Sequence, residues 1–159
     1  MNKKQLLKFV DESNRIEGIL RSPTEVELLA TERFLSRESF SAADIVDYVD
    51  AVANAPIRDK PGMDVRVGNH LPPPGGLGIV DRLIYHVEVV TMDPPNPWLN
   101  HVEYETLHPF MDGNGRSGRL LWAWEMIHKK PLDKYWLEIG FLHAFYYQTL
   151  DASPHREKL

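Results

Sequence analysis

Apolar residues recur at helical spacing through most of the chain, and the runs begin and end on residues that start and stop helices. Leu6, Leu7 and Val10 give an apolar face to a first helix running toward Gly18. Ser22-Pro23-Thr24-Glu25 supplies an N-cap, a proline at the first helical position and an acid at the third, so a second helix is expected to open there. Ser41 with Asp44 repeats the signal ahead of IVDYVDAVA. Ile79, Leu83, Val87 and Val90 mark a further helix that ends before Pro94-Pro95, and Asn96-Pro97 caps and opens another toward Leu107. A helix from about Asn114 to His128 follows, and a last one covers about Asp133 to Leu150.

One segment breaks this rhythm. MDVRVGNHLPPPGG alternates apolar and polar positions at Val65 and Val67, then turns through Gly68-Asn69. That pattern predicts a short strand or hairpin followed by a stiff Pro-Gly loop. The expected fold is mainly α with one small β element, in a single domain over residues 1–159 without repeats or linkers.

Bulk composition changes this picture little. At 159 residues the chain is long enough to bury a core, and 43% hydrophobic with 26% charged residues is an ordinary globular balance. The net charge of -5 argues against nucleic acid or an anionic membrane as partner, because either would need a basic face. There is no cysteine, hence no disulfide or thiolate metal site. The opening MNKKQLLKFVDESN is basic, but Lys8 and Asp11 interrupt its apolar run, so it does not read as a signal peptide. No segment approaches the length of a membrane-spanning helix. A cytoplasmic protein is the expectation.

The candidate chemistry lies in LHPFMDGNGRSGR, residues 107–119, at the mouth of a helix. Gly113 and Gly115 let the backbone come close to a ligand, and a helix N-terminus there favours anions. Arg116 and Arg119 lie three apart and can reach one polyanion. Asp112 would repel a phosphate unless a hard cation such as Mg²⁺ stood between them. His108, on the other edge, can take a proton near neutral pH. These parts together suit a nucleotide polyphosphate, a metal ion and a general base.

The order His-Pro-Phe-x-Asp-Gly-Asn-Gly-Arg-x-x-Arg resembles the signature of the Fic family of nucleotidyltransferases at every fixed position. Nine fixed residues at about 5% usage each would coincide by chance about once in 5 × 10¹¹ positions. HVEYETLHPF, with His101 seven before His108, is similar to the family's approach helix, and FYYQTLDA to the segment that often closes its core. The resemblance implies Fic chemistry, in which AMP passes from ATP to a Ser, Thr or Tyr hydroxyl of another protein and pyrophosphate leaves. It assigns His108 as general base, Phe110 as the loop's buried anchor and Asp112 as the Mg²⁺ ligand. Gly113, Asn114 and Gly115 become the anion-binding turn, with Arg116 and Arg119 holding phosphates. A kinase-like branch of the family carries a bulkier charged residue where Gly115 stands, so the intact Gly-Asn-Gly favours adenylylation.

Two further segments fit the resemblance. Residues 13–18, Ser-Asn-Arg-Ile-Glu-Gly, match the family's inhibitory helix within an N-terminal region 1–20. Ser13 and Glu17 are four apart and share one helix face, and Gly18 suits the position just past a helix end. In the family this glutamate pairs with the second motif arginine, here Arg119, and blocks the way to the γ-phosphate. The hairpin residues Val65, Arg66, Val67, Gly68 and Asn69 lie where the family carries a target-docking flap, whose edge could add to an extended peptide.

The main expectation is therefore an autoinhibited, Mg²⁺-dependent protein adenylyltransferase acting on ATP and a hydroxyl-bearing target protein. The alternative is a metal-dependent phosphodiester hydrolase that removes AMP from modified protein. A third reading is a nucleotide-binding module without turnover, against which the intact His108 and both arginines count. Self-association into a homo-oligomer is one candidate trigger for releasing the first helix.

Overall fold

The computed structural model describes residues 1–92 and 96–129. They form six helices: α1 (Lys3–Ile16), α2 (Glu25–Leu35), α3 (Ala42–Ala53), α4 (Leu77–Thr91), α5 (Pro97–Leu107) and α6 (Asn114–His128). The helix expected at 133–150, the segment FYYQTLDA and the Pro94-Pro95 stop lie outside the described residues.

Local capping chemistry sets most boundaries. Asn2 and Gln5 form a reciprocal capping box that starts α1, and its buried face is Leu6, Phe9, Val10, Ser13, Asn14 and Ile16. Leu7, expected on that face, is exposed instead, because one residue turns a helix by about 100° and Phe9 fills the face in its place. At the other end Gly18 takes φ +74, with Gly18 N donating to Arg15 O and Ile19 N to Asn14 O, both at 3.0 Å. This is the paired pattern that glycine just past a helix end permits.

The start of α2 departs from the expected one. Thr24, not Ser22, is the N-cap: its hydroxyl accepts from Glu27 N, and the Glu27 carboxylate accepts from Thr24 N. Pro23 therefore precedes the helix instead of opening it. α3 begins at the Ser41–Asp44 box, and α5 begins at Pro97 behind an Asn96 cap. Ile79, Leu83, Val87 and Val90 are all buried along α4.

α6 is the central helix. Leu120, Leu121, Trp122, Ala123 and Trp124 are consecutive and all buried, as expected of a helix covered on every side. It packs most closely on α5, where a Cβ on Gly118 would collide with Glu105 Oε1 and lie 3.0 Å from the Tyr104 ring. Trp124 meets Phe40 edge-on at 4.8 Å and donates its Nε1–H to Arg37 O at 2.9 Å. These contacts lock the connection between α2 and α3 against α6.

The hairpin is a correction. No β-strand occurs among the described residues. Val67 and His70 form one isolated antiparallel bridge around Gly68-Asn69, with Val67 N to His70 O at 3.0 Å and His70 N to Val67 O at 2.9 Å. Pairing stops there because Pro72, Pro73 and Pro74 carry no N–H for a ladder. The alternation is real: Val65 and Val67 are half-buried while Arg66 is exposed.

Candidate active site

The signature loop is folded by its own side chains. Tyr104 O accepts from His108 N at 2.9 Å, ending α5, and His108 then adopts the left-handed conformation at φ 50, ψ 62. Phe110 is fully buried and bridges Ile57. Asn114 closes the loop: its Oδ1 accepts from Phe110 N and its Nδ2 donates to Phe110 O, both at 2.8 Å. The Asn114 amide is thus committed to shaping the loop, and only its main chain is left for a ligand. Gly113, at φ +80, is the N-cap of α6, where a Cβ would come within 2.8 Å of the Ala53 Cβ.

The helix mouth is a concentration of positive charge. Arg119 is fully buried, and Arg116 is nearly so. Arg116 Nη1 donates to Val52 O at 2.5 Å, which ties α6 to α3, and its Nη2 lies 3.7 Å from Asp112 Oδ2. Asp112 accepts from Gly113 N at 2.6 Å, yet its side chain is 71% exposed. Such an exposed carboxylate fits a cation that takes its other ligands from phosphate oxygens and water. Among the described residues no three His, Asp or Glu side chains cluster as a ready metal cage, so any Mg²⁺ here would rely on substrate oxygens.

The N-terminal helix reaches this mouth. Arg119 Nε donates to Ser13 Oγ at 2.9 Å, and Nη2 donates to Ser13 O at 3.0 Å and to Glu17 Oε1 at 2.5 Å. A Cβ on Gly115 would collide with Glu17 Oε1 and sit 2.9 Å from Arg119 Nη1. The Glu17 carboxylate therefore lies directly over the glycine turn, at the end of α6 whose dipole favours an anion. The structure brings Ser13, Glu17, Gly115 and Arg119 together, with His108, Asp112 and Arg116 held by the same loop and first turn.

Three features were not foreseen from the sequence. Glu27 binds Arg21 through both oxygens, at 2.8 and 3.0 Å, and accepts from Asn14 Nδ2 at 3.2 Å, so it ties α1 to the start of α2. Burial pushes the Glu27 carboxyl up, but its bonds to Arg21 and Thr24 outweigh this and hold it down at about 2. The Thr24-x-x-Glu27 spacing is a signal that could have revealed it. Glu105 Oε2 lies 3.9 Å from His108 Nδ1, one helical turn away. Arg58 is fully buried and bonds the loop through its guanidinium, which no periodicity or motif announces.

The expected flap residues Val65, Arg66, Val67, Gly68 and Asn69 form the bridged turn and its approach. They are linked to the loop through His70, whose Nε2–H donates to Thr106 O at 2.9 Å, and through Arg58.

Comparison with known proteins bears on this arrangement. Residues 99–126 match the Fic/DOC family. The Fic/DOC match runs from α5 through the signature loop into α6, and so contains His108, Asp112, Arg116 and Arg119. The chain is also similar to proteins named protein adenylyltransferase Fic from Drosophila erecta, Drosophila sechellia and Drosophila melanogaster. Each is 35% identical over 83 residues, covering 48% of this chain and 16% of the relative. The match thus spans about a sixth of those relatives' length. Among the described residues, no helix is long and apolar enough to cross a membrane.

Proposed function

We propose that this chain is a protein adenylyltransferase that moves AMP from ATP to a Ser, Thr or Tyr hydroxyl of a target protein, and that α1 holds it inactive. One observation carries the reading: an anion, the Glu17 carboxylate, already sits over Gly115 and against Arg119 at the helix mouth. A site that binds a carboxylate with a buried arginine and a helix terminus suits phosphate oxygens for the same reasons.

In the reaction, the target hydroxyl oxygen bonds to the α-phosphorus, the bond from that phosphorus to the β-bridging oxygen breaks, and pyrophosphate leaves. His108 takes the hydroxyl proton. Arg116, Arg119 and the first-turn N–H groups of α6 hold the phosphates in line, which is most of what phosphoryl transfer asks of a protein. Mg²⁺ bound through Asp112 would neutralise charge on the phosphates. Arg119 cannot serve Glu17 and a phosphate together, so the pair acts as a competitive plug. The flap residues 65–69 would receive the target by main-chain pairing. A single-domain organisation over 1–159, with α1 as its regulatory element, completes the reading.

Labelled ATP and Mg²⁺, incubated with cell lysate and either wild-type or Glu17→Gly protein, tests this. Label should pass to protein, and several times faster with Glu17→Gly. Equal rates would remove the plug, and no transfer by either protein would remove the adenylyltransferase. Release of AMP from modified protein, without transfer from ATP, would instead support the hydrolase.

A further inference from the structure

Arg58 presents a puzzle of burial. Its side chain is fully shielded, and no ion pair within the described residues answers its charge. Burial lowers its pKa, and Asp64 acts in the other direction without offsetting it. An apolar side chain of similar volume would fill the space without that desolvation cost. The guanidinium is answered by four backbone carbonyls. Nε donates to His108 O at 2.7 Å and Nη2 to Leu107 O at 3.0 Å. Nη1 donates to Met63 O at 3.2 Å and to Pro73 O at 2.9 Å.

The choice of carbonyls is informative. Leu107 O and His108 O belong to the two peptide planes that flank the His108 Cα. One rigid fork that holds both planes sets φ and ψ of His108, and so the direction of its Cα–Cβ bond. The residue needs such holding, because a non-glycine residue at φ 50 is disfavoured by about 1 kcal/mol or more. The opposite edge of the same guanidinium gathers the two ends of the segment 63–73. Main-chain bonds from Arg58 N to Pro109 O and from Gly76 N to Arg58 O, both at 2.9 Å, stitch the two regions together.

We propose that Arg58 is a positioning residue, which fixes the left-handed turn of His108 and couples it to the segment that receives the target. Resting on the adenylyltransferase reading, this makes productive placement of the base depend on how segment 63–73 is held. Lysine, a point donor on a flexible stem, cannot bridge two carbonyl pairs with one planar fork.

The test uses Arg58→Lys in the Glu17→Gly protein, with labelled ATP, Mg²⁺ and cell lysate as acceptor. ATP affinity, read by calorimetric titration, should stay within about twofold, whereas transfer should fall about 100-fold, the loss expected for a misplacement near 1 Å. The His108 ring signal, assigned by its disappearance in His108→Ala, should shift in the carbon–proton NMR spectrum. Transfer within about twofold of the parent, an unmoved ring signal, or a loss of transfer matched by an equal loss of ATP affinity would each overturn the proposal. Failure of Arg58→Lys to fold cooperatively would overturn it too, since the guanidinium would then serve the whole fold. If the parent itself transfers no AMP, the adenylyltransferase reading fails, while the ring signal and the ATP titration still decide on Arg58.

Discussion

Glu17 reaches across 102 residues of sequence to place Oε1 2.5 Å from Arg119 Nη2. Arg119 is fully buried while the Glu17 side chain is 29% exposed, so the arginine is fixed and the glutamate is the partner able to leave. Glu17→Gly should therefore tighten ATP binding about tenfold or more, since occupancy by the plug divides the apparent affinity. Calorimetric titration of the two proteins with ATP and Mg²⁺ checks this. Stability should drop by about 1–2 kcal/mol in the same variant, because Arg119 keeps its Ser13 bonds but loses its counter-charge.

His108→Ala should abolish label transfer in the Glu17→Gly protein while leaving ATP affinity within about twofold. General-base help is worth about 10²–10⁴ in rate, which a transfer assay resolves easily. The main-chain bond from His108 N to Tyr104 O survives the substitution, so α5 should end as before. A transfer rate equal to the parent's would show that another group accepts the proton.

Gly118→Ala should destabilise the fold by about 1–3 kcal/mol in denaturant titration, as overpacking does elsewhere. The added methyl would collide with Glu105 Oε1 and press on the Tyr104 ring and His101. It lies on the α5 side of α6, so the loss should appear without an equal change in ATP affinity. A variant as stable as the wild type would mean that α5 can back away from α6.

Burial alone drives the His86 pKa down to about 4 from 6.5, and within the described residues its Nε2 has no hydrogen-bond partner. The native state thus holds the neutral ring, whereas the unfolded chain takes up a proton below 6.5. The unfolded state binds more protons between those values, so the His86 contribution to stability should fall by about 3 kcal/mol as pH drops from 6.5 to 4 and be fully present above 6.5. Glu27, held at about 2 against an ordinary 4.5, extends the loss further into acid. Melting temperatures from pH 3 to 8 for wild type and His86→Leu check this: the variant should lose only the limb between about 4 and 6.5.

Much of the helical framework was legible because capping is a conversation between neighbours. Ser41 with Asp44 and Asn96 with Pro97 each declare a boundary within a few residues. The second helix starts two residues later than its sequence suggests because Thr24 competes with Ser22, and the Glu27 carboxylate decides between them. Alternation at Val65 and Val67 reported an extended backbone but could not report whether a partner strand existed. The candidate site's motif is contained in residues 108–119, while Arg58 carries no such signal, because its acceptors are main-chain carbonyls that every residue carries. Asn14, Glu27 and Arg21 stayed hidden for a related reason: their meeting depends on how α1 folds back on α2.

The glycine that terminates α1 directly after Glu17 has a wider consequence. Ser13 lies in the last turn of α1 and Glu17 caps it, so the helix sets the spacing at which both meet Arg119. Inserting one residue between them would swing the carboxylate about 100° around the rod and 1.5 Å along it. Under the proposed autoinhibition the hold on Arg119 is a matter of phase, and slippage of a single residue would release it with every side chain of the contact still present.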